Sequence, residues 1–347
     1  MERCSLVICT YIRSSSAGCF EWCEHKYFLT YVLGFKDKSG WKAERGNMVH
    51  KALELLAHEK VAIQQGKTEF YEKECNLSFK VGELSVEDAA KIGFNLYKTK
   101  NESGRDWTET DFEDVLKWVK ETVEFRDGIF DPRKRNILAP EQYFDIEIDR
   151  PWAKYCFEDP HTKQKFDGQL RIKGTIDLVT EIEPGVIEYC DWKTGLRRDW
   201  AKNKEKTYKC LCKDAQLMLY FYALNKLYPD AKMIFVSIFF IQDGGPYTIC
   251  FEKRHLVDAE NMLKKKFEAI KRTVRPKRII GRPADKWKCT NLCEYYKNKQ
   301  DGSDLNVCDF IHKELQQIGM DRVISKYGKP NAWGKYTDGG GQSSREA

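Results

Sequence analysis

The sequence predicts an α/β fold with a central mixed sheet flanked by helices, a helical insertion and a cysteine-bearing C-terminal segment. Three observations predict it. Helical patterns dominate the first 138 residues, and an alternation of apolar and polar residues, typical of β-strands, begins near residue 143. The segment "MIFVSIFFI" (233–241) is continuously apolar, as is typical of a strand buried on both faces. Cysteines recur in a basic segment after the last long helical pattern.

The N-terminal region (1–59) is expected to form two helices. "SSSAGCFEWCEHKYFLTYVLGF" has a serine that can cap its start and Gly34 near its end. "ERGNMVHKALELLAHE" (44–59) carries an apolar stripe that includes Met48, Val49 and Leu53. The pattern therefore places the histidine of "GNMVH" on a helix.

The next segment (60–138) is expected to be a helical insertion. Ser85 can cap "VEDAAKIGFNLYK", whose first turn holds acidic residues that suit the N-terminal end of a helix dipole. Thr110 and Glu113 form a predicted capping box for a second helix, and Gly128 ends it.

The core segment (139–273) is expected to contain the sheet. Apolar and polar residues alternate in "YFDIEID" and "LRIKGTIDLV", and "VIEYCDWK" follows a turn at Pro184 and Gly185. The predicted elements in order are strands at 143–149, 170–179 and 186–193, a helix at 214–228, a strand at 233–241, a hairpin turn at 243–244 and a helix at 255–273.

The C-terminal part divides into a cysteine cluster segment (274–325) and a tail (326–347). The tail ends in "TDGGGQSSREA", and its Gly/Ser-rich composition predicts disorder.

Composition excludes several classes of protein. No apolar run approaches the 18 residues of a membrane span, so we expect no membrane partner. The apolar stretch near the N-terminus is only about six residues long, which is too short for a signal peptide. Thirteen cysteines in 347 residues are too few for a disulfide scaffold, and in a reducing compartment they favour metal binding. We expect the cytoplasm or nucleoid, or the host cytoplasm for a viral chain.

The net charge of +6 is concentrated in two stretches. Residues 263–283 hold nine Lys or Arg against one Glu, and residues 197–213 hold seven against two acidic residues. Such stretches favour a polyanionic partner, although a solvated helix face is the alternative for each.

Two carboxylates and a lysine are predicted to meet at the ends of neighbouring strands. Asp191 and Lys193 project to the same side of their strand because side chains alternate, and Asp177 lies near the end of the preceding strand. Carboxylates brought together repel unless a cation lies between them, and such oxygen ligands suit Mg²⁺ or Mn²⁺. A lysine beside the metal could position or help deprotonate a water. The alternative is an ordinary surface Asp and Lys at a strand end.

The motifs in this region resemble those of a known family. "GTID" followed by "VIEYCDWKTG" resembles the nuclease signature of RecB-like enzymes in the PD-(D/E)XK superfamily. "GNMVH" resembles their first motif, "QLMLY" resembles their Gln-x-x-x-Tyr motif, and all occur in the family's order. The resemblance covers residues 14–58 and 141–310. It implies a restriction-endonuclease-like core and metal-dependent hydrolysis of DNA.

The resemblance also implies roles for individual residues. Asp177 and Asp191 would bind the divalent metal, and His50 would be a further ligand. Lys193 would handle the attacking water. For His50, the alternative is a core or surface histidine of an amphipathic helix.

Gln216 and Tyr220 lie one helical turn apart on one face. The resemblance implies that they contact the DNA or brace the site. The alternative is a helix face that only packs.

The cysteines extend the resemblance to an iron–sulfur subset related to AddB and the CRISPR-associated RecB-like exonucleases. That subset carries a 4Fe–4S cluster with one cysteine before the first motif and three after the last. The resemblance implies Cys23, Cys289, Cys293 and Cys308 as ligands. The spacing departs from the family's compact pattern, since three residues separate Cys289 from Cys293 and fourteen separate Cys293 from Cys308.

Other arrangements of these cysteines remain open. Cys289, Cys293 and Cys308 with His312 would make a tetrahedral zinc site. Cys19 is one turn from Cys23 and could replace it, and unliganded cysteines are a further alternative.

Together these features predict a nuclease. We expect a single-strand exonuclease that hydrolyses phosphodiester bonds in DNA recombination, repair or processing. No helicase motor is visible, so the chain is expected to act alone or beside a helicase or recombination partner. The alternatives are a non-catalytic nucleic-acid-binding module that keeps the fold, and a structure-specific endonuclease.

Overall fold

The computed structural model describes residues 9–37, 40–199, 204–330 and 332. Within them the chain forms a main mixed sheet, three two-stranded sheets and flanking helices, which confirms the predicted α/β class. Residues 200–203 of the basic stretch at 197–213, and residues 331 and 333–347 of the predicted tail, lie outside the described residues.

The strands follow the alternating and apolar segments of the sequence. In chain order they are β1 (Tyr11–Ile12), β2 (Glu69–Glu72), β3 (Leu77–Lys80), β4 (Ile137–Glu147), β5 (Lys154–Glu158), β6 (Lys165–Gln169), β7 (Arg171–Glu183), β8 (Val186–Lys193), β9 (Arg198–Asp199), β10 (Lys204–Glu205), β11 (Met233–Phe240) and β12 (Gly245–Phe251).

The α-helices occur before, between and after the strands of the main sheet. In chain order they are α1 (Ser14–Trp22), α2 (Glu24–Tyr27), α3 (Trp41–Gln64), α4 (Val86–Lys100), α5 (Glu109–Glu124), α6 (Tyr208–Leu211), α7 (Ala215–Leu227), α8 (Leu256–Lys271), α9 (Lys286–Leu292), α10 (Glu294–Lys297), α11 (Val307–Ile318) and α12 (Met320–Tyr327). A π-helical turn, Phe28–Val32, follows α2. None of the helices among the described residues has the length and apolar character to cross a membrane.

The main sheet has the strand order β1-β7-β8-β11-β12, and β4 also pairs with β7. Strands β7 and β8 are antiparallel, as are β11 and β12, whereas β8 and β11 are parallel. Parallel neighbours need a crossover connection, and α7 lies in the one between β8 and β11. The sheet is therefore mixed, as predicted.

The chain divides into two compact units. The first comprises Met1–Asp37, Phe144–Gly174 and Val257–Ala347. The second comprises Lys38–Tyr143 and Thr175–Leu256.

The second unit has helices on both faces of its part of the sheet. On one face, α3, α4 and α5 bury an apolar cluster against Leu178, Trp192 and Phe239. On the other face, Phe221 of α7 stacks on Phe251 of β12, with ring centroids 4.7 Å apart. Strand β11 therefore buries both of its faces, which accounts for its apolar character.

Helices α3 and α4 approach closely because α4 carries Gly93 at the contact. A Cβ atom at Gly93 would lie 2.5 Å from the carbonyl oxygen of Met48. No larger residue fits this position without a backbone shift.

The first unit has several long-range polar anchors. Strand β1 pairs in parallel with the start of β7, and the buried Lys173 of β7 forms a 2.9 Å ion pair with Asp145 of β4. The backbone N–H of His25 donates a 3.1 Å hydrogen bond to the Lys277 carbonyl. These contacts join segments that lie far apart in the sequence.

Several local expectations differ from the structure. The first predicted helix is interrupted at Cys23, whose backbone is extended and whose Sγ accepts the Lys26 N–H as the N-cap of α2. Segment 60–138 contains the β2–β3 hairpin in addition to α4 and α5, and α12 extends through Tyr327 into the segment predicted as a disordered tail.

The cap of α5 also differs from the expectation. Thr108 and Asp111 form the capping box, not Thr110 and Glu113. Arg105 forms a 2.8 Å ion pair with Asp111, and this contact favours the earlier of two overlapping Thr-x-x-acid patterns.

Candidate active site

Asp177 and Asp191 lie on the neighbouring antiparallel strands β7 and β8. Asp177 is in the middle of β7 and not near its end, because β7 continues to Glu183, beyond the predicted end at residue 179. The register pairs Leu178 with Cys190, so Asp177 lies one residue beyond this pair, at the level of Asp191. The backbone N–H of Trp192 donates a 3.0 Å hydrogen bond to Asp177 Oδ2. The structure therefore brings the two predicted carboxylates to one place.

The alternation of β8 carries Asp191 into the interior. Tyr189, Asp191 and Lys193 share one face of the strand, whereas Cys190 and Trp192 face the apolar cluster with α3. Asp191 is only 1% exposed. Burying a carboxylate this deeply is costly unless polar partners surround it.

Asp191 has such partners on one of its oxygens. Oδ1 accepts hydrogen bonds from the Tyr189 hydroxyl at 2.6 Å, from Lys193 Nζ at 2.9 Å and from Gln216 Nε2 at 3.1 Å. Oδ2 lies 2.7 Å from Lys193 Nζ, but no donor among the described residues reaches it in hydrogen-bonding geometry. One carboxylate oxygen is thus saturated, and the other has only an ionic contact.

Lys193 is held as a cation by these neighbours. Its Nζ also lies 3.4 Å from Gln216 Oε1. Burial lowers the pKa of Lys193, but the charges of Asp191 and Asp177 outweigh burial and raise that pKa above its usual value. In this arrangement the lysine donates protons in hydrogen bonds and does not accept one.

Asp177 lies between Asp191 and His50. His50 Nδ1 is 3.5 Å from Asp177 Oδ2, and both side chains are partly exposed. Burial raises the pKa of Asp177, and Asp191 raises it further, while His50 and Lys193 oppose this rise. The carboxylate is therefore short of positive charge, as expected of a cation ligand.

Helix α3 brings His50 to Asp177 and to the end of β8 by a close approach at Gly46. A Cβ atom at Gly46 would lie 2.8 Å from Thr194 Oγ1, directly after the end of β8. His50 follows one helical turn later, and its ring meets Trp192 edge to face at 6.1 Å. The glycine of "GNMVH" thus has a packing reason in this chain.

Helix α7 supplies the remaining predicted residues. Asp214 caps it by accepting the Gln216 N–H at 2.9 Å, which fixes Gln216 at the first turn. Tyr220, one turn later, meets the Tyr189 ring edge to face at 5.2 Å. We call His50, Asp177, Asp191, Lys193 and Gln216 the acid site, with Tyr220 supporting it through Tyr189.

Glu54 lies one turn after His50 but has a different role. Lys51, buried in α3, forms ion pairs with Glu54 at 3.0 Å, Glu72 at 2.8 Å and Glu74 at 2.9 Å. These contacts anchor the β2–β3 hairpin to α3, so Glu54 takes part in a structural network.

The acid site fits a divalent cation by its donor chemistry. The two carboxylates supply the oxygen donors that suit Mg²⁺ or Mn²⁺, and the buried Asp191 Oδ2 lacks a hydrogen-bond donor. Among the described residues, no three His, Cys, Asp or Glu side chains already converge as a metal cage. Asp177, Asp191 and His50 are the residues that would hold the ion.

The predicted cluster cysteines approach one another in the first unit. Cys23, Cys289, Cys293 and Cys308, which we call the cysteine group, are all buried. The pKa of Cys289 is raised to about 11 and that of Cys308 to about 12; burial is the largest cause, and the charges of Cys293 and Cys23 contribute to both. Burial also raises the pKa of Cys293, to which Cys23 contributes. Four buried thiols are a donor set that suits an iron–sulfur cluster.

The residues of the alternative arrangements lie close to the same group. Cys19 is near enough to Cys23 and Cys293 for their charges to raise its pKa, although burial is the larger cause. The rings of His312 and His25 meet edge to face at 5.7 Å, and His25 Nε2 lies 3.1 Å from the Cys308 carbonyl. The zinc alternative with His312 therefore stays open.

Parts of the basic stretches are already paired. Arg197 forms a 2.8 Å ion pair with Glu205 in the second unit. In the first unit Arg278 pairs with Asp309, while Lys264 and Lys265 are exposed on α8. Fewer charges are available to a polyanion than the sequence alone suggests.

Two residues of the site were missed in the sequence. Tyr189 donates directly to Asp191, and its position two residues earlier on the same strand face was an available signal. Gly46 was seen only as part of a motif, because its contact with Thr194 joins positions far apart in the chain.

The chain is similar to proteins that are already known. The family model described as "PD-(D/E)XK nuclease superfamily" matches residues 14–297, a range that includes the whole acid site and ends before Cys308. A crystal structure described as a "Putative exonuclease" from Eubacterium rectale is similar to this chain, with a TM-score of 0.44 and 12% identity over 87% of this chain and 92% of that chain. No curated protein matches the sequence.

Proposed function

Because this chain belongs to the PD-(D/E)XK nuclease superfamily, we propose that it hydrolyses phosphodiester bonds of DNA with Mg²⁺ or Mn²⁺ at the acid site. The mixed sheet flanked by helices is the restriction-endonuclease-like core expected from the sequence. The observation that carries the proposal is the meeting of Asp177, in the middle of β7, with Asp191 and Lys193 at the end of β8.

The acid site divides the work of hydrolysis among its residues. When bound, the divalent cation supplies positive charge beside the scissile phosphate and makes water a better nucleophile at neutral pH. Asp177, Asp191 and His50 would hold the cation. Lys193 donates its ammonium protons to a phosphate oxygen or to the attacking water, which offsets developing negative charge.

Gln216 and Tyr189 keep these groups in position. The Gln216 amide donates to Asp191, and its oxygen lies near Lys193 Nζ, so it fixes the carboxylate and the ammonium together. The Tyr189 hydroxyl holds the same Asp191 oxygen from the strand. Such support restricts the reacting groups to one geometry.

We propose single-stranded DNA as the substrate and exonucleolytic cleavage as the mode, because both follow from the RecB-like motifs. The basic stretches at 197–213 and 263–283 would contact the phosphate backbone, so binding should weaken as the salt concentration rises. A helicase or recombination protein that supplies single strands is the corresponding partner.

We further propose that the cysteine group holds a 4Fe–4S cluster. Four buried thiols contributed by both ends of the chain support this, because one cofactor would join the two ends. Zinc bound by Cys289, Cys293, Cys308 and His312 is the second candidate. The visible spectrum and the iron and zinc content of anaerobically purified protein distinguish the two.

The catalytic proposal is tested by cleavage of end-labelled single-stranded DNA with Mg²⁺ or Mn²⁺. Asp191→Asn should lower the cleavage rate by about 10²-fold or more while DNA binding in EDTA is retained. Asp230→Asn, at an exposed turn, is the matched control and should leave the rate unchanged.

Other outcomes point to the alternatives. Binding without cleavage in the wild-type protein would indicate a non-catalytic nucleic-acid-binding module. Internal cuts on circular or branched DNA would indicate a structure-specific endonuclease. Equal rates for wild type and Asp191→Asn would remove the acid site from the mechanism.

A further inference from the structure

An exposed tyrosine lies among lysines at α6 of the second unit. Tyr208, the first residue of this helix, is 51% exposed. Lys209, the next residue, and Lys213, shortly after the helix ends, are exposed as well. Among the residues that the structure describes, neither lysine has an ion-pair partner, and the tyrosine ring stacks on no other aromatic ring. An aromatic face and two cations are therefore open to solvent.

The charge of this surface is positive after its ion pairs are counted. The segment 204–214 holds two acidic residues, and both are paired: Glu205 with Arg197 at 2.8 Å and Asp214 with Lys206 at 3.3 Å. The exposed lysines therefore leave a net positive charge beside the tyrosine ring. Such a surface attracts a polyanion.

Hydrogen bonds and an ion pair tie this surface to two of the elements that carry the acid site. The backbone N–H of Lys206 donates a 3.0 Å hydrogen bond to the carbonyl of Arg197, four residues beyond the end of β8. Its ammonium group pairs with Asp214, the N-cap of α7, which also accepts the N–H of Gln216. Tyr208 follows Lys206 by two residues. The surface is therefore a direct continuation of the end of β8 and the start of α7.

The ring and the lysines together match a nucleic-acid strand. Every base has a π-face that stacks on an aromatic side chain, and lysines neutralise the phosphates beside it. Cys212, one helical turn after Tyr208, lies near its hydroxyl and restrains the ring, so less conformational entropy is lost on stacking. A small anion would use the lysines but not the ring.

We propose that Tyr208 stacks on one base of a DNA single strand whose phosphates contact Lys209 and Lys213 and whose backbone continues to the acid site. The inference rests on the proposed nuclease function and adds a reason for single-strand preference. A base inside a duplex is already stacked and paired, so it must leave the duplex before it can meet the ring. A single strand presents unstacked bases at no such cost.

The test measures binding of labelled single-stranded DNA in EDTA, where cleavage is blocked. Tyr208→Ala removes the ring and should weaken binding by about fivefold or more, because stacking on an aromatic side chain contributes strongly to affinity. Tyr208→Phe and Tyr208→Trp keep an aromatic face and should bind within about twofold of wild type.

Tyr71→Ala is the matched control in the same unit. Tyr71 is 59% exposed on the β2–β3 hairpin, and its neighbours Glu69 and Lys73 carry opposite charges, so they add no net positive charge. This variant should bind DNA as the wild type does.

An abasic series shows whether the ring meets a base. The shortest oligonucleotide that still binds fully is made with a single abasic nucleotide at each position in turn. In the wild type, one position should lose about fivefold or more in affinity, and in Tyr208→Ala the same penalty should fall to about twofold or less. Lys209→Ala should keep the penalty and make the dependence of log affinity on log salt concentration less steep by about one unit.

Each outcome decides the inference. Wild-type affinity in Tyr208→Ala, an unchanged abasic penalty in that variant, or an equal loss in Tyr71→Ala would overturn the stacking proposal. A loss in Tyr208→Phe as large as in Tyr208→Ala, or an equal loss on duplex DNA, would overturn it too. If Asp191→Asn still abolishes cleavage in these cases, the proposed nuclease function stands without it. A protein that neither binds nor cleaves DNA would overturn both.

Discussion

The acid site of the second unit and the cysteine group of the first unit are held together in different ways. In the acid site, Asp191 accepts hydrogen bonds from Tyr189, Lys193 and Gln216, so opposite charges and donors already meet in the folded chain. In the cysteine group, burial raises the pKa of Cys289 and that of Cys308, and the charges of Cys293 and Cys23 contribute to both rises. Asp191 is thus stabilised by its own neighbours in the acid site, whereas the cysteine group consists of mutually repelling ligands once its thiols lose their protons.

This difference separates what each bound group would contribute. A metal at the acid site enters a framework that its side chains already stabilise, so its main effect is on chemistry. A cofactor at the cysteine group must displace protons and hold four thiolates together, so its binding energy also stabilises the fold. Loss of metal from the acid site should therefore lower activity, whereas loss of the cofactor from the cysteine group should destabilise the fold.

The largest effect is expected at the acid site. Lys193→Met should lower the rate of DNA cleavage by about 10³-fold, since the ammonium group that pairs with Asp191 is lost. The same change leaves a buried carboxylate with fewer partners and should cost about 1–3 kcal/mol of unfolding free energy. Single-turnover cleavage and urea unfolding measure the two effects.

Lys67→Met is the matched control for this substitution. Lys67 is exposed between α3 and β2. The Lys67→Met protein should therefore keep the wild-type cleavage rate and the wild-type free energy of unfolding. A Lys193→Met protein that cleaves at the wild-type rate would contradict the role given to the acid site.

The second effect should appear in stability at the cysteine group. Cys293→Ser should abolish the bound iron or zinc and lower the unfolding free energy by about 4 kcal/mol, the value for a ligand present at a thousandfold excess over its Kd. Metal analysis and thermal unfolding of anaerobic samples measure both. Cys210→Ser, at an exposed cysteine of α6, is the control and should retain the metal. If wild-type protein purified without metal were as stable as the metal-bound protein, a cofactor at the cysteine group would not stabilise the fold, and the contrast with the acid site would be wrong.

Local sequence signals predicted the strands of the acid site well. Strand β8 has the predicted bounds, because its alternation is strong and Gly185 adopts a positive φ of 81° in the turn that precedes it. The neighbouring antiparallel strand followed from that short turn. Asp177 and Asp191 could therefore be placed together from the sequence alone.

Long-range contacts explain what the sequence did not predict. The β2–β3 hairpin has short, mostly exposed strands, and it is anchored by ion pairs from Lys51 to Glu72 and Glu74. The contact of Gly46 with Thr194 likewise depends on how a helix packs on a strand end. Neither partner can be identified from a local pattern.

The third effect tests whether the acid site depends on the position of α3. Gly46→Ala places a methyl group 2.8 Å from Thr194 Oγ1, so the Thr194 side chain, α3 or the end of β8 must shift. Because small displacements of catalytic groups are costly, the cleavage rate should fall by about 10-fold to 100-fold. The metal content of the cysteine group should not change.

Gly18→Ala is the control in the first unit. No heavy atom lies within 4 Å of a Cβ at Gly18, and the residue lies inside α1. Alanine there should raise the unfolding free energy by about 0.5–1 kcal/mol, since glycine is a poor helix former. An equal loss of cleavage in both variants would show that α3 does not position the acid site specifically.

The smallest effect is expected from a residue that stabilises the fold but belongs to neither the acid site nor the cysteine group. Thr108→Ala removes the side chain that accepts the Asp111 N–H and donates to its carboxylate, so it should cost about 1 kcal/mol of unfolding free energy. Thr110→Ala, two residues into the same helix, should cost little because Thr110 is exposed and is not the cap. Cleavage per folded molecule and the amount of bound metal should stay at wild-type values in both variants. The reason is that α5 supplies neither a hydrogen-bond partner of Asp191 nor a thiol of the cysteine group. A fall in cleavage with Thr108→Ala alone would instead mean that the cap of α5 helps to position the acid site through the apolar cluster shared with Trp192.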